Sequence, residues 1–128
     1  MAEKVINTRS GKVWLTEDGI IRQNVVPHTD FTLQDAQETI AAAVKLSEGK
    51  PYPMLVDLTG LKSITKEARN YFGKEVTSHN LSAVGLLFTS AVTQVLGNFF
   101  LRFNRPEIPV KLFNSETQVI RWLKEFLS

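Results

Sequence analysis

The sequence contains no cysteine. Disulfides, thiol nucleophiles and thiolate metal sites are therefore excluded outright. Long apolar runs are also missing. The longest candidates are interrupted by Gly97, Asn98 and Arg102, and none approaches the roughly 20 apolar residues of a membrane-spanning helix. No transmembrane segment is expected. Met1 is followed by Ala2-Glu3-Lys4 rather than by a charged segment and an apolar core, so no signal peptide is read and a cytoplasmic location is expected. Runs of one charge are absent too. The 15 basic and 13 acidic residues are scattered, and a formal net charge of +2 is no nucleic-acid footprint. Glycine-rich phosphate loops are lacking: Gly60, Gly85 and Gly97 stand alone, and Lys62-Ser63 lacks the paired glycines of a P-loop. No nucleotide or other cofactor is expected.

Catalytic constellations are equally thin. The two histidines, His28 and His79, lie at expected element ends. Glu75 and His79 are spaced to share a helix face, but a closed metal site wants about four ligands, so no metal is expected. Ser90, His79 and Asp57 can be written down as a hydrolase triad, yet no Gly-x-Ser-x-Gly elbow exposes the serine. A non-enzymatic protein is the expectation.

What is present is a core. Hydrophobic residues make up 43% of 128 residues, which suits one domain over 1–128. Lys4 to Val26 reads as β structure, with Asp18-Gly19 as a type I′ hairpin signal, Gly11 as an earlier turn and Val5 to Thr8 as a short first strand. Pro27 to Asp30 punctuate the chain. Thr32-Leu33-Gln34-Asp35 resembles a capping box with Asp replacing the usual Glu, and opens a helix to about Glu48, ended by Gly49 and Pro51. Met54 to Leu58 is a short apolar run of the kind buried in parallel sheets. Thr65 is the expected N-cap of a helix to about Asn80, with Ala68, Phe72 and Val76 facing inward. Leu81 to Phe88 is a further central strand. Ser90 caps a helix over Ala91 to Phe103, Val110 to Phe113 is the last strand, and Ser115-Glu116-Thr117-Gln118 opens the last helix. The order is a hairpin followed by α-β-α-β-α-β-α. It implies an α/β fold with a mixed, mostly parallel sheet and about four helices.

That order at this length, together with Leu55-Val56-Asp57-Leu58-Thr59-Gly60-Leu61, is similar to the STAS domain, the sulphate-transporter and anti-sigma-factor-antagonist family also called SpoIIAA-like. The resemblance covers about Lys12 to Leu127. It implies a regulatory domain that binds a protein partner and is switched by phosphorylation of a serine in an Asp-Ser-Ser-Gly-like motif at the start of the next helix. Here Thr65-Lys66-Glu67-Ala68 stands at that place and the Ser-Ser-Gly is missing. Ser63 and Thr65 are the nearby hydroxyls and the candidate phosphosites, with helix capping as the alternative role of Thr65. One divergent branch of the fold comprises small bacterial proteins of unassigned function, and another is compared with lipid-carrying CRAL-TRIO domains.

Two surfaces follow as candidates. Asp57 and Thr59, with Thr89-Ser90 and Asn114-Ser115, fall at carboxyl ends of strands, where open α/β sheets gather ligands. The alternative is that Asp57 accepts hydrogen bonds from its own turn and the hydroxyls cap helices. The helix Ala91 to Phe103 carries more apolar residues than one stripe can bury: positions 92, 95, 96, 99 and 103 fit one stripe, and Phe100 and Leu101 fall partly outside it. The expected partner or ligand surface is therefore Asp57, Thr59, Gly60, Ser63, Thr65, Phe99, Phe100 and Phe103. It would serve a protein partner or a second copy in a homodimer. The alternative is a small apolar or lipid ligand in a pocket near the same helix.

Overall fold

In a computed structural model the described residues are 4–78, 81–103 and 106–127, with the side chains of Thr77, Ser78 and Phe103 outside that description. His79 and Asn80 also lie outside it. Strand β1 (Lys4–Thr8) turns through Arg9-Ser10 into β2 (Gly11–Leu15), which pairs in turn with β3 (Ile21–Val25). Both pairings are antiparallel. After the short β4 (Thr29–Phe31) come α1 (Leu33–Ser47), β5 (Pro53–Asp57), β6 (Leu61–Ile64) and α2 (Lys66–Ser78). The chain ends with β7 (Ala83–Leu87), α3 (Ala91–Phe103), β8 (Val110–Phe113) and α4 (Glu116–Lys124). The main sheet has six strands in the order β1-β2-β3-β5-β7-β8, parallel from β3 onward. The expected mixed, mostly parallel α/β fold with four helices is the observed one.

Two features differ from the expectation. The β2–β3 connection is not a two-residue type I′ turn. Asp18 has no positive φ; only Gly19 does, at 86°, and its N–H donates to the Thr16 carbonyl at 3.0 Å. The loop is longer because the Asp18 carboxylate is used to hold Thr16 and the Ile20 N–H. Second, β4 and β6 form a separate two-stranded parallel sheet, where the sequence reads only punctuation and a loop. Strands of three and four residues are too short to show alternation, and their pairing partners lie some thirty residues apart.

Helix starts follow the sequence closely. The Thr65 hydroxyl accepts the Ala68 N–H at 3.1 Å, and Ser115 accepts that of Gln118 at 3.3 Å. Ser90 accepts the Thr93 N–H at 3.2 Å while the Thr93 hydroxyl accepts that of Ser90 at 3.1 Å, a reciprocal capping box. At α1 the Asp35 carboxylate accepts the Thr32 N–H at 2.9 Å, but the Thr32 hydroxyl donates to that same carboxylate at 3.1 Å.

The sheet is covered unequally. On one face α1 packs on α2 and on β1 to β3, while α3 lies over β6 and β8. This face holds the larger apolar cluster, including Val13, Ile21, Met54, Val56, Val84 and Phe72. The other face is closed by α4, over β5, β7 and β8. Its cluster is Ile20, Leu55, Ala83, Leu87, Val119 and Leu123.

Candidate functional site

The carboxyl ends of β5 and β7 lie side by side in the parallel sheet, which brings Asp57 to the position opposite Leu87. The Asp57 carboxylate accepts the Thr59 N–H at 2.9 Å and the Thr59 hydroxyl at 2.5 Å. The Thr89 hydroxyl donates to that of Thr59 at 3.3 Å, so three of the anticipated polar residues do meet. Ser90 and Ser115 do not join them, because their hydroxyls are engaged as caps. The carboxylate is thus held by its own turn, an arrangement that orders the loop.

The loop after β5 is pressed against the end of β3. A Cβ at Gly60 would lie 2.1 Å from the Val25 carbonyl oxygen, so only glycine allows the approach. The Gly60 carbonyl accepts the Thr29 N–H at 3.1 Å and leads β6 alongside β4. Ser63 is exposed on β6 and donates its hydroxyl to Asp30, its neighbour on β4, at 2.5 Å. Thr65 is also exposed, with its hydroxyl occupied by the cap described above.

In α3 the apolar residues singled out from the sequence divide between the two sides of the helix. Thr93, Gly97 and Phe100 face inward and are buried, whereas Val92, Val95 and Phe99 are exposed. Phe100 is core and meets Phe72 edge-to-face at 6.0 Å. Phe99 carries the Arg69 guanidinium over its ring at 4.5 Å. Phe103, in the same expectation, has its side chain outside the described residues. The orientation has a local cause: the Ser90–Thr93 capping box turns Thr93 into the protein, and Gly97 lets the helix settle on Leu112 and Leu58.

Beneath α3 lies an apolar cavity. Its floor is Val56, Leu58 and Leu86, its walls come from Phe31, Leu61, Ile64, Arg69 and Phe72, and Leu96 and Phe100 cover it. The space open to the centre of a water-sized molecule is about 50 Å³, within a depression of about 520 Å³ when its mouth is included. Gln23 also lines the cavity and was missed from the sequence. The signal was there: Ile21, Gln23 and Val25 all point inward on β3, and a polar residue interrupts an apolar row.

An ion pair between an exposed arginine and a buried aspartate was also missed. Arg9, in the β1–β2 turn, clasps Asp35 at the start of α1 with both Nε, at 2.9 Å, and its terminal nitrogen. The Asp35 side chain is fully buried. Burial pushes its carboxyl up, but the Thr32 N–H, the Arg9 guanidinium and the Thr32 hydroxyl outweigh this and hold it below the usual carboxylate range. The pair joins residues 26 positions apart, which no local pattern announces. Among the described residues no group of three metal-ligating side chains occurs. None of the described helices is long and apolar enough to cross a membrane.

Sheet order, helix placement and the loop after β5 define an α/β protein with the SpoIIAA-like fold. A solved structure with that fold supports the assignment: an uncharacterised protein of the DUF3478 family from Shewanella loihica PV-4 matches at TM-score 0.59 and 15% identity, over 95% of this chain and 92% of its own. A protein of unknown function from Arthrobacter sp. FB24 is 33% identical over 87% of this chain and 96% of its own, with a TM-score of 0.36. No curated protein matches the chain. The chain belongs to the family described as Domain of unknown function (DUF7793), whose model matches residues 13–127.

Proposed function

We propose that this chain is a non-enzymatic interaction module that associates through the outer face of α3, with a second copy of itself as the partner. One observation carries the reading: Val92, Val95 and Phe99 are 58%, 64% and 42% exposed along one stripe, while the opposite side of the same helix is buried. Contiguous exposed apolar side chains on a helix mark surfaces that are covered in use. Arg102, in the last turn of α3, and Arg69, over the Phe99 ring, both lie towards one end of the stripe, so antiparallel stripes centred on Val95 keep the like charges of the two copies apart. Three side chains fall short of the roughly 800 Å² per partner of a stable interface, so the association is concentration-dependent. A cytoplasmic setting is part of the same reading.

The loop from Thr59 to Thr65 is the regulatory element of this proposal. Ser63 is the better modification site, because Thr65 is committed to capping α2. A phosphate on Ser63 would set a dianion beside Asp30, where a hydroxyl now donates, and would push β6 from β4.

Light scattering across a concentration range tests the association, comparing the wild type with Val92→Asp and Val95→Asp. The expected result is a wild-type mass rising towards a dimer and variants that stay monomeric with unchanged thermal unfolding. A wild type monomeric at every concentration, or variants that dimerise equally well, would remove this reading. Phe100→Asp is no substitute, because Phe100 is core and its loss unfolds the helix whatever α3 binds.

A further inference from the structure

We infer that the pairing of α3 is antiparallel and is oriented by an ion pair at each end, in which Asp57 of one copy faces the partner's Arg102. The inference rests on the self-association proposed above and adds the residues that orient it. Asp57 ends β5 and stands opposite Leu87 at the end of β7. Its turn is tied to the entry of α3. The Thr59 hydroxyl, which donates to the Asp57 carboxylate, accepts in turn from Thr89, just before the first helical residue, Ala91. The carboxylate is half-buried, and both contacts from Thr59 fall on Oδ1. Among the described residues Oδ2 has no hydrogen-bond partner, so the charge is met only by neutral donors at a surface turn.

Helix geometry brings the opposite charge to that turn. With Val95 facing its counterpart, Arg102 lies about 10 Å along the axis in one direction, and the same distance in the other direction reaches Phe88, where β7 gives way to α3. The partner's Arg102 therefore arrives at the level of Thr89 and Asp57. Arg102 is exposed and stands nearly two full turns beyond Val95, so it leaves the helix on the same side as Val95. The carboxylate is on that side too. Arg69, over Phe99, donates to the Ile64 carbonyl of β6 at 3.2 Å, and the Asp57–Thr59 turn leads into the same strand. A parallel pair would set Asp57 against Asp57 and Arg102 against Arg102. The charges thus select the antiparallel arrangement, while the apolar stripe supplies the contact between the copies.

Exchanging the charges tests this, with dimer dissociation constants measured by light scattering at low salt. Arg102→Glu places two carboxylates at each end and should weaken pairing roughly tenfold. Asp57→Lys should weaken it to a similar degree. A mixture of these two variants should recover near wild-type affinity as a mixed pair, because each end then holds opposite charges again. Asp57→Asn keeps an oxygen for the Thr59 N–H and serves should the lysine variant fold poorly. It should weaken pairing about threefold and flatten its dependence on salt. Val95→Asp, which breaks the stripe itself, separates the two claims. A wild type that pairs, fails to pair as Val95→Asp and pairs undiminished as Arg102→Glu and Asp57→Asn would overturn the ion pair and leave the α3 face standing. A mixture of folded variants that pairs no better than either alone would overturn it as well. A wild type that never pairs removes both.

Discussion

The two faces of the main sheet are built from the same strands and closed in opposite ways. Under α4 the packing is tight: a Cβ on Gly85 would stand 2.3 Å from Val119 Cγ2, and Val119 and Leu123 are wholly buried. Trp122 tightens the outer edge of that face, 5.5 Å from Phe113 and 4.9 Å from Phe126. Under α3, three helices and a second small sheet converge and leave a cavity, an unpaired amide oxygen and an exposed apolar stripe. One helix laid on three parallel strands can match them side chain for side chain. Four elements meeting over a corner cannot all do so. The irregular face is the one that breaks the rules of a satisfied core, and such places are where function is to be sought.

Truncating equivalent leucines should break the symmetry most visibly. Leu123→Ala, in the close-packed face, is expected to cost about 4 kcal/mol, against about 1 kcal/mol for Leu96→Ala, which is half-buried at an existing cavity. Urea unfolding of both variants measures this, and equal losses would mean that the two faces are packed alike. The glycines offer a subtler contrast. Gly85→Ala collides with the stiff Val119 and should cost about 2 kcal/mol. At Gly97 the nearest atom is the flexible end of Leu112, at 2.6 Å, with cavity beside it. There alanine should be near neutral, as the gain in helix propensity of about 1 kcal/mol offsets the squeeze.

Asp35 tests the anchorage of α1 on the α3 side of the sheet. Its carboxyl is depressed in the folded protein, so its contribution is fully present above the unfolded value of roughly 3.9 and is lost as the pH falls below that. Asp35→Asn should lower stability at neutral pH by about 1–2 kcal/mol. The variant should also show a flatter loss than the wild type between about pH 4 and pH 2, read by thermal unfolding across pH. One substitution is expected to give a gain. Gln23→Leu removes the unpaired amide and should stabilise the protein by about 1 kcal/mol. A loss instead would mean that the amide is satisfied in solution.

Much of the architecture could be read before any coordinates. Thr65, Ser90 and Ser115 cap the helices that the sequence assigned to them, and Met54, Val84 and Val110 begin or follow strand starts where apolar runs predicted them. These signals act over three or four residues. The β4–β6 pair escaped notice because Asp30 and Ser63 meet across 33 positions and neither strand is long enough to alternate. Of the surface expected from the sequence, Asp57, Thr59 and Gly60 do lie together at the turn between β5 and β6. Phe100, expected on that surface, lies on the buried side of α3.

Gln23 and the Arg9–Asp35 pair make the division clearest. The chain by itself determined the four helices and the strands of the main sheet, how the helices begin and the alternating order that makes a parallel sheet, because periodicity and capping are written within a few neighbouring residues. Which side of α3 turns inward, where a cavity opens and which distant arginine holds Asp35 were decided only by tertiary structure. Those outcomes depend on the fit between surfaces contributed by elements far apart in the chain, and no short window of sequence contains both surfaces.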